Sequence, residues 1–113
     1  MAHMSNYLVT DAQIAIGGTF TSAPINIEKA TAACIHLQSL VGTLPDVGFS
    51  YTVSSSRNGT YLAGLATTSA SESAAVIIPF TPEPASWLKM TVTNNSGANV
   101  VTPTVVLALA DAD

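Results

Sequence analysis

Apolar residues occupy every second position from Val47 to Val53, with single small or polar residues between them. A period of two is typical of a β-strand that buries one face. A run of serines and the pair Asn58-Gly59 follow, and this pair favours a tight hairpin turn because both residues readily adopt positive φ angles. The pattern therefore predicts a strand, a turn and a partner strand at 61–67.

Similar short apolar patterns predict five further strands, at 19–21, 25–27, 33–38, 87–94 and 100–109. Pro24 lacks a backbone donor, which suits an edge strand or a kink. The uninterrupted apolar run 74–78 predicts a strand that is buried on both faces. Prolines at 79, 82 and 84 predict a rigid linker after it.

Two segments depart from the strand pattern. Residues 28–33 are rich in helix-favouring alanine, glutamate and lysine, so this is the one place where the composition permits a helical turn, although the segment is too short to be stable alone. Residues 40–46 contain Gly42 and Pro45 and predict a connection into the strand that follows.

Seven to nine short strands separated by turn residues predict an all-β fold, an antiparallel two-layer β-sandwich that resembles a jelly roll. Residues 1–4 are expected to be an expression-tag remnant and the start of the chain. We expect 5–16 to form an N-terminal arm or an edge strand, and 17–113 to form a single sandwich domain.

Charged residues make up only 9% of the chain, against about 25% in typical domains. Serine, threonine, asparagine and glycine must then cover much of the surface, or a partner must cover part of it. The net charge is −4, and Lys29, Arg57 and Lys89 are the only lysines and arginines. Three scattered cations are too few for a nucleic-acid site or for an anionic membrane surface. Without a secretory signal or a long apolar run, synthesis in a cytoplasm is expected.

Catalytic chemistry finds little support. Cys34 is the single cysteine, so neither an intrachain disulfide nor a cysteine-based metal site is expected. His36, two residues on, is more typical of a polar face or an interface than of a catalytic base. Glu28, Asp46, Glu72 and Glu83 fall in or beside connections, each as the lone carboxylate of its loop. We therefore expect no enzyme activity, no cofactor and no metal ion.

Trp87 is the single tryptophan, and two interpretations of it stay open. A core or intersubunit contact is the usual role of such a residue and is favoured here. The alternative is an exposed platform on which a sugar stacks, with Tyr61 or Tyr51 near it.

Several segments carry a family resemblance: 18–27, 35–38, 41–45, 49–54, the turn 56–61, and 87–97. Together they resemble small β-sandwich proteins encoded in the structural-gene modules of tailed bacteriophages and related prophages. Asn58 stands where that family commonly has aspartate, Tyr61 where it has tryptophan, and Lys89 where arginine is common. The loss of arginine weakens any expectation of a bidentate contact at this position.

The resemblance implies a non-enzymatic virion protein that is assembled in the cytoplasm of a bacterial host. Its expected role is capsid decoration or stabilisation as a homo-oligomer, with a trimer as the first expectation. Besides itself, its expected partner is the major capsid protein or another virion protein, contacted in part by the arm at 5–16. The alternative is a carbohydrate-binding or adhesin module of a phage tail or tail fibre, with a glycan as ligand. The expected interface or ligand-contact residues are Tyr7, His36, Tyr51, Tyr61 and Trp87.

Overall fold

A computed structural model describes residues 3–64, 68–71 and 76–111. Within these ranges the regular structure is entirely β, and it is antiparallel throughout. The strands are β1 (His3–Thr10), β2 (Thr19–Thr21), β3 (Ile25–Asn26), β4 (Ala30–Gly42), β5 (Asp46–Ser54), β6 (Leu62–Ala63), β7 (Thr68–Ser71), β8 (Val76–Phe80), β9 (Trp87–Asn94) and β10 (Val101–Asp111).

The strands form two sheets packed as a sandwich, so the predicted fold class is confirmed. Sheet 1 has the order β1-β10-β4-β8. Sheet 2 has β9 and β5 at its centre, with β2 and β3 both paired to β9 and with β6 and β7 both paired to β5. The ten segments therefore fill eight strand positions, four in each sheet.

This strand order is that of a jelly roll. The first strand pairs with the last, β2 and β3 pair with the penultimate strand β9, β4 pairs with β8, and β5 pairs with β6 and β7. The chain therefore resembles one long antiparallel hairpin that is wrapped around a common core. The segment predicted as an arm or an edge strand contains β1, which lies at the edge of sheet 1 beside β10.

The core lies between the sheets and follows the alternation in the sequence. The most deeply buried large residues are Leu37, Leu40, Val47, Leu88, Met90, Val92, Val101, Val105, Leu107 and Leu109. Complete burial of one such side chain stabilises the fold by about 1.5–3 kcal/mol. The strand predictions at 33–38, 47–53, 87–94 and 100–109 are confirmed on this basis.

A β-bulge lengthens β4 beyond its predicted end. Ser39 faces Thr104 and Leu37 faces Val105, so Gln38 is an extra residue without an opposite partner. The bulge shifts the alternation by one residue and turns Leu40 into the core, where it is 1% exposed. The prediction of a connection at 40–46 is therefore wrong for its first three residues, which continue the strand to Gly42.

Two other local expectations need correction. Within 28–33, Glu28 and Lys29 form a turn closed by the Ala30 N–H, which donates to the Ile27 carbonyl at 3.0 Å, and β4 begins directly at Ala30, so no helix forms. β5 and β6 form the predicted antiparallel pair, but Asn58 and Gly59 lie within the longer connection 55–61 and not in a tight two-residue turn, and Gly59 has no positive φ. The composition favoured a helical turn at 28–33 and a tight turn at Asn58-Gly59, but the pairing of the flanking strands determined the local structure at both places.

In the described part of the apolar run 74–78, residues 76–78, the strand is not buried on both faces. Residues 74 and 75 lie outside the described ranges, and β8 is an edge strand in which Ile77 is 65% exposed. Pro79 lies inside β8 and not in a linker, which the edge position permits because one side of the strand needs no backbone donor.

A buried asparagine joins the two loops that connect the sheets at one end. The Asn94 amide group donates to the carbonyl oxygens of Ile14 (3.2 Å), Ala15 (3.1 Å) and Asn99 (2.9 Å). Its side-chain oxygen accepts a hydrogen bond from the Ser96 N–H at 2.8 Å. These four bonds fix the loop after β1 to the loop after β9, and they satisfy the polar atoms of the buried Asn94 side chain.

Candidate functional site: the two outer faces

The outer face of sheet 1 has no lysine, arginine, aspartate or glutamate on it among the described residues. We call it the uncharged face, and its members are Met4, Asn6, Leu8, Ala32, Cys34, His36, Ser39, Val41, Ile77, Pro79, Thr102, Thr104, Val106, Ala108 and Ala110. They lie on this side because their strand neighbours in sequence point into the core. The solvent-facing side of an antiparallel sheet normally carries polar and charged residues, so the composition of this face is unusual.

Large apolar side chains on this face are well exposed. The exposed fractions are 63% for Met4, 60% for Leu8, 64% for Val41 and 65% for Ile77. Leu8, Val106, His36 and Ile77 stand opposite one another in a single row across all four strands. The row carries three apolar side chains and one imidazole from one edge of the sheet to the other.

Cys34 occupies the neighbouring row, between Ala108 and Pro79. Burial raises the pKa of its thiol, and a backbone hydrogen bond from Ile78 opposes this shift. The thiol is therefore held in its neutral form over a wider pH range, as expected beside an uncharged surface.

The outer face of sheet 2 has a different composition, and we call it the polar face. Its members are Thr19, Thr21, Asn26, Gly48, Ser50, Thr52, Trp87, Lys89, Thr91 and Thr93. Hydroxyl groups dominate it, and the Thr21 and Thr91 hydroxyls form a hydrogen bond at 3.1 Å.

Two cations rest on two aromatic rings at one end of the polar face. The Arg57 guanidinium carbon is 5.7 Å from the centroid of Trp87, and the Lys89 ammonium nitrogen is 4.3 Å from the centroid of Tyr61. Both distances permit cation–π attraction. The Tyr61 hydroxyl donates to the Arg57 carbonyl at 2.7 Å, which closes the loop over the sheet. We call these four residues the cation–aromatic patch.

The five predicted contact residues are dispersed over the molecule. Tyr61 and Trp87 come together in the cation–aromatic patch, whereas His36 is half-buried on the uncharged face. Tyr7 is 38% exposed and lines a groove at the side of the sandwich with Ser5, Asn26, Glu28, Lys29, Leu109 and Asp111.

Two sequence interpretations of aromatic residues need correction. Tyr51 is only 3% exposed and packs against Phe80 with a centroid distance of 5.0 Å, so its ring is not an exposed contact. Its hydroxyl donates to the Glu83 carboxylate, at 2.8 and 3.1 Å from the two oxygens. Trp87 is half-buried on the outside of sheet 2, so the interpretation as a core anchor is wrong.

Arg57 and Lys89 were absent from the predicted site, although a sequence signal for each exists. Lys89 lies two residues after Trp87 in an alternating strand, so both side chains must share a face. Arg57 lies four residues before Tyr61 in one loop. Leu8 and Ile77 were also missed, because only the sheet order brings them into one row with His36.

Across the described residues, no three metal-ligating side chains are grouped as an ion site would require. The same part of the chain holds no helix with the length and hydropathy needed to cross a membrane.

Comparison with known proteins shows the fold. No protein-family model and no curated protein sequence matches the chain. Among solved structures, PBSX exported protein XepA aligns with a TM-score of 0.67 at 8% identity, over 96% of this chain and 37% of its own. SPBc2 prophage-derived protein YomS aligns with a TM-score of 0.57 at 13% identity, over 98% of this chain and 96% of its own.

A viral particle protein shares the same architecture. A chain of the T13 infectious bursal disease virus particle aligns with a TM-score of 0.58 at 16% identity, over 97% of this chain and 31% of its own. The chain thus spans about a third of the length of XepA and of this viral protein. The structural neighbours include prophage-derived and viral particle proteins, and at these identities the likeness extends to the fold alone.

Proposed function

We propose that this protein is a non-enzymatic structural component of a bacteriophage virion, which decorates or stabilises the head as a homo-oligomer. The observation that carries the proposal is the uncharged face of sheet 1, with its exposed row of Leu8, Val106, His36 and Ile77. A ring of three copies is the first expectation for the assembly, and the major capsid protein is the expected lattice beneath it.

The chemistry of the uncharged face favours contact with another copy of the chain. Burial of apolar surface gains about 25 cal/mol per Å², and no charge on this face has to be desolvated when two copies meet. The face is also self-compatible, since an uncharged surface does not repel its own copy. Ring formation would multiply weak contacts to a capsid lattice and so raise the overall affinity without further contacts.

The fold comparison supports a virion role through the origin of a protein with the same fold. YomS, which is named as prophage-derived, matches the present chain over nearly the whole of both lengths. A jelly roll of this size is therefore an established prophage product, and the sparse charge of the present chain agrees with a protein that is covered by neighbours.

Solution mass with matched lysine variants tests the self-association. Size-exclusion chromatography with light scattering should give a closed oligomer for the parent chain at tens of micromolar. Leu8→Lys and Ile77→Lys should shift it to monomer, because each places an unpaired charge in the interface. Leu62→Lys is the control, since Leu62 is equally exposed at 65% but lies at the edge of sheet 2. A monomeric parent, or equal loss of mass in the control, would contradict the proposal.

Location in the virion needs a separate experiment. Antibodies against this chain should label the heads of particles released by the bacterium that encodes it, as seen by immunogold electron microscopy. Label confined to tail tips would favour the adhesin alternative, and particles without label would rule out a virion role.

A further inference from the structure

The cation–aromatic patch is a second distinctive surface, on the side of the sandwich that is opposite to the uncharged face. It holds two of the three lysines and arginines of the chain, Arg57 and Lys89. The assembly proposed through sheet 1 leaves this patch outward and gives it no role. Its chemistry differs sharply from the rest of a molecule with a net charge of −4.

Both cations rest on aromatic rings and not against a carboxylate of the described residues. Within residues 3–64, 68–71 and 76–111, no carboxylate forms an ion pair with Arg57 or Lys89. Each cation instead lies over an aromatic ring, which restricts its motion and lowers the entropy that binding would cost. Fixed positive groups without a partner attract an anionic ligand.

The surface beside the cations supplies hydroxyl groups. Thr52 stands opposite Lys89, and Ser50 stands opposite Thr91, which is itself opposite Thr21. Sugars match this combination, because their hydroxyl groups exchange hydrogen bonds with serine and threonine while their C–H faces pack on aromatic rings. Trp87 and Tyr61 provide such rings at the end of the hydroxyl row.

We propose that the cation–aromatic patch binds an acidic saccharide, one that carries carboxylate or phosphate groups on a sugar backbone. Arg57 and Lys89 contact the acidic groups, and the sugar contacts the row of hydroxyl groups and the parts of Trp87 and Tyr61 that the cations leave uncovered. A nucleic acid is a poorer match, because it carries a charge on every nucleotide and only two cations are present to neutralise them. Carboxylate and phosphate groups are both negatively charged, and the experiment distinguishes between them.

Tryptophan fluorescence gives a direct signal, since Trp87 is the single tryptophan and lies in the patch. Alginate, a carboxylate polysaccharide, and a glycerol-phosphate teichoic acid are titrated separately into the intact protein at low ionic strength. Neutral dextran and an oligothymidine are titrated in parallel. Fluorescence should change with alginate, with teichoic acid or with both, and added salt should weaken the response. The stronger of the two acidic ligands identifies carboxylate or phosphate as the recognised group.

Charge-removing variants assign the binding to the patch. Arg57→Gln and Lys89→Gln should each weaken binding of the preferred acidic polymer about tenfold, since each removes a charge-assisted hydrogen bond. Lys29→Gln removes the same charge from the turn between β3 and β4 and should change the affinity less than about threefold. Thermal unfolding of all three variants checks that they remain folded.

Four results would overturn the proposal. The first is a fluorescence that neither acidic polymer changes at low salt. The second is an equal response to neutral dextran, which would leave the cations without a role. The third is an equal loss in Lys29→Gln, which would indicate attraction by overall charge. The last is tighter binding of oligothymidine, which would assign the patch to single-stranded nucleic acid.

Discussion

The two outer faces of this jelly roll lie on strands of the same kind and cover the same core, yet their chemistry is opposite. The uncharged face of sheet 1 exposes Leu8 and Ile77 and lacks lysine, arginine, aspartate and glutamate among its described residues. The polar face of sheet 2 carries hydroxyl groups and two cations stacked on aromatic rings.

The difference teaches that the outward positions of a sandwich are free to specialise once the inward positions are apolar. Inward residues must fill the core, whereas outward residues affect stability little and so can be used for binding. The low charge of the chain is therefore uneven, because the described residues of one face include no lysine, arginine, aspartate or glutamate. Such a face suits burial by a second copy, and the other face suits a dissolved ligand.

The largest expected effects come from the core that both faces share. Leu107→Ala, below the uncharged face, and Leu88→Ala, below the polar face, should each lower the free energy of unfolding by about 2–5 kcal/mol. Both side chains are completely buried. Denaturant unfolding should remain a single transition, with Trp87 fluorescence and circular dichroism changing together. Two separate transitions would mean that the sheets, and hence the faces, are independent units.

A slightly smaller effect is expected where the loops between the sheets are joined. Asn94→Ala removes four hydrogen bonds and should cost about 2–4 kcal/mol, because each buried polar group left without a partner costs about 1–3 kcal/mol. Asn95→Ala, at the exposed neighbouring position, should stay within about 0.5 kcal/mol. Chemical denaturation measures the stability of both variants. Equal losses of stability would show that Asn94 does not hold the two loops together.

Two tyrosines allow a comparison of stability between the two sides of sheet 2, because one lies on the core side and the other on the outer side. Tyr51→Phe removes a hydrogen bond to the Glu83 carboxylate beside the core and should cost about 1–2 kcal/mol. Tyr61→Phe removes an exposed hydrogen bond in the cation–aromatic patch and should cost less than about 0.5 kcal/mol. The reverse order of the two losses in thermal or chemical unfolding would contradict the assignment of Tyr51 to the core and Tyr61 to a binding surface.

The smallest expected effect is a change in the alkylation rate of Cys34, which lies on the uncharged face. Burial raises the pKa of the Cys34 thiol, and only the thiolate reacts with iodoacetamide. Near pH 8 the folded protein should therefore react more slowly than the unfolded chain in urea, and the rate should rise as the pH approaches the raised pKa. Assembly through this face should slow the reaction further at higher protein concentration. A rate that does not depend on concentration across the assembly range would place the contact elsewhere.

Much of the fold could be predicted from the sequence, because the alternation of a strand is a local property. Phe49 and Met90 are buried as their positions in alternating runs predicted, and the all-β sandwich follows from many such runs. The candidate site was predicted only in part. Tyr61 and Trp87 were both named as contact candidates and lie together on the outside of sheet 2, although a core or intersubunit role was favoured for Trp87. Tyr51 was assigned to the surface although the same alternation points it inward.

The sequence by itself therefore determined which side chains alternate, that the chain is β throughout its described parts, and that charge is scarce. Only the tertiary structure decided that the run at 74–78 includes an edge strand, that a bulge at Gln38 turns Leu40 inward, and that Lys89 lies over Tyr61. The physical reason is the range of the interactions. Alternation depends on neighbours two residues apart, whereas edges, bulges and surface rows depend on which distant strands form hydrogen bonds with each other.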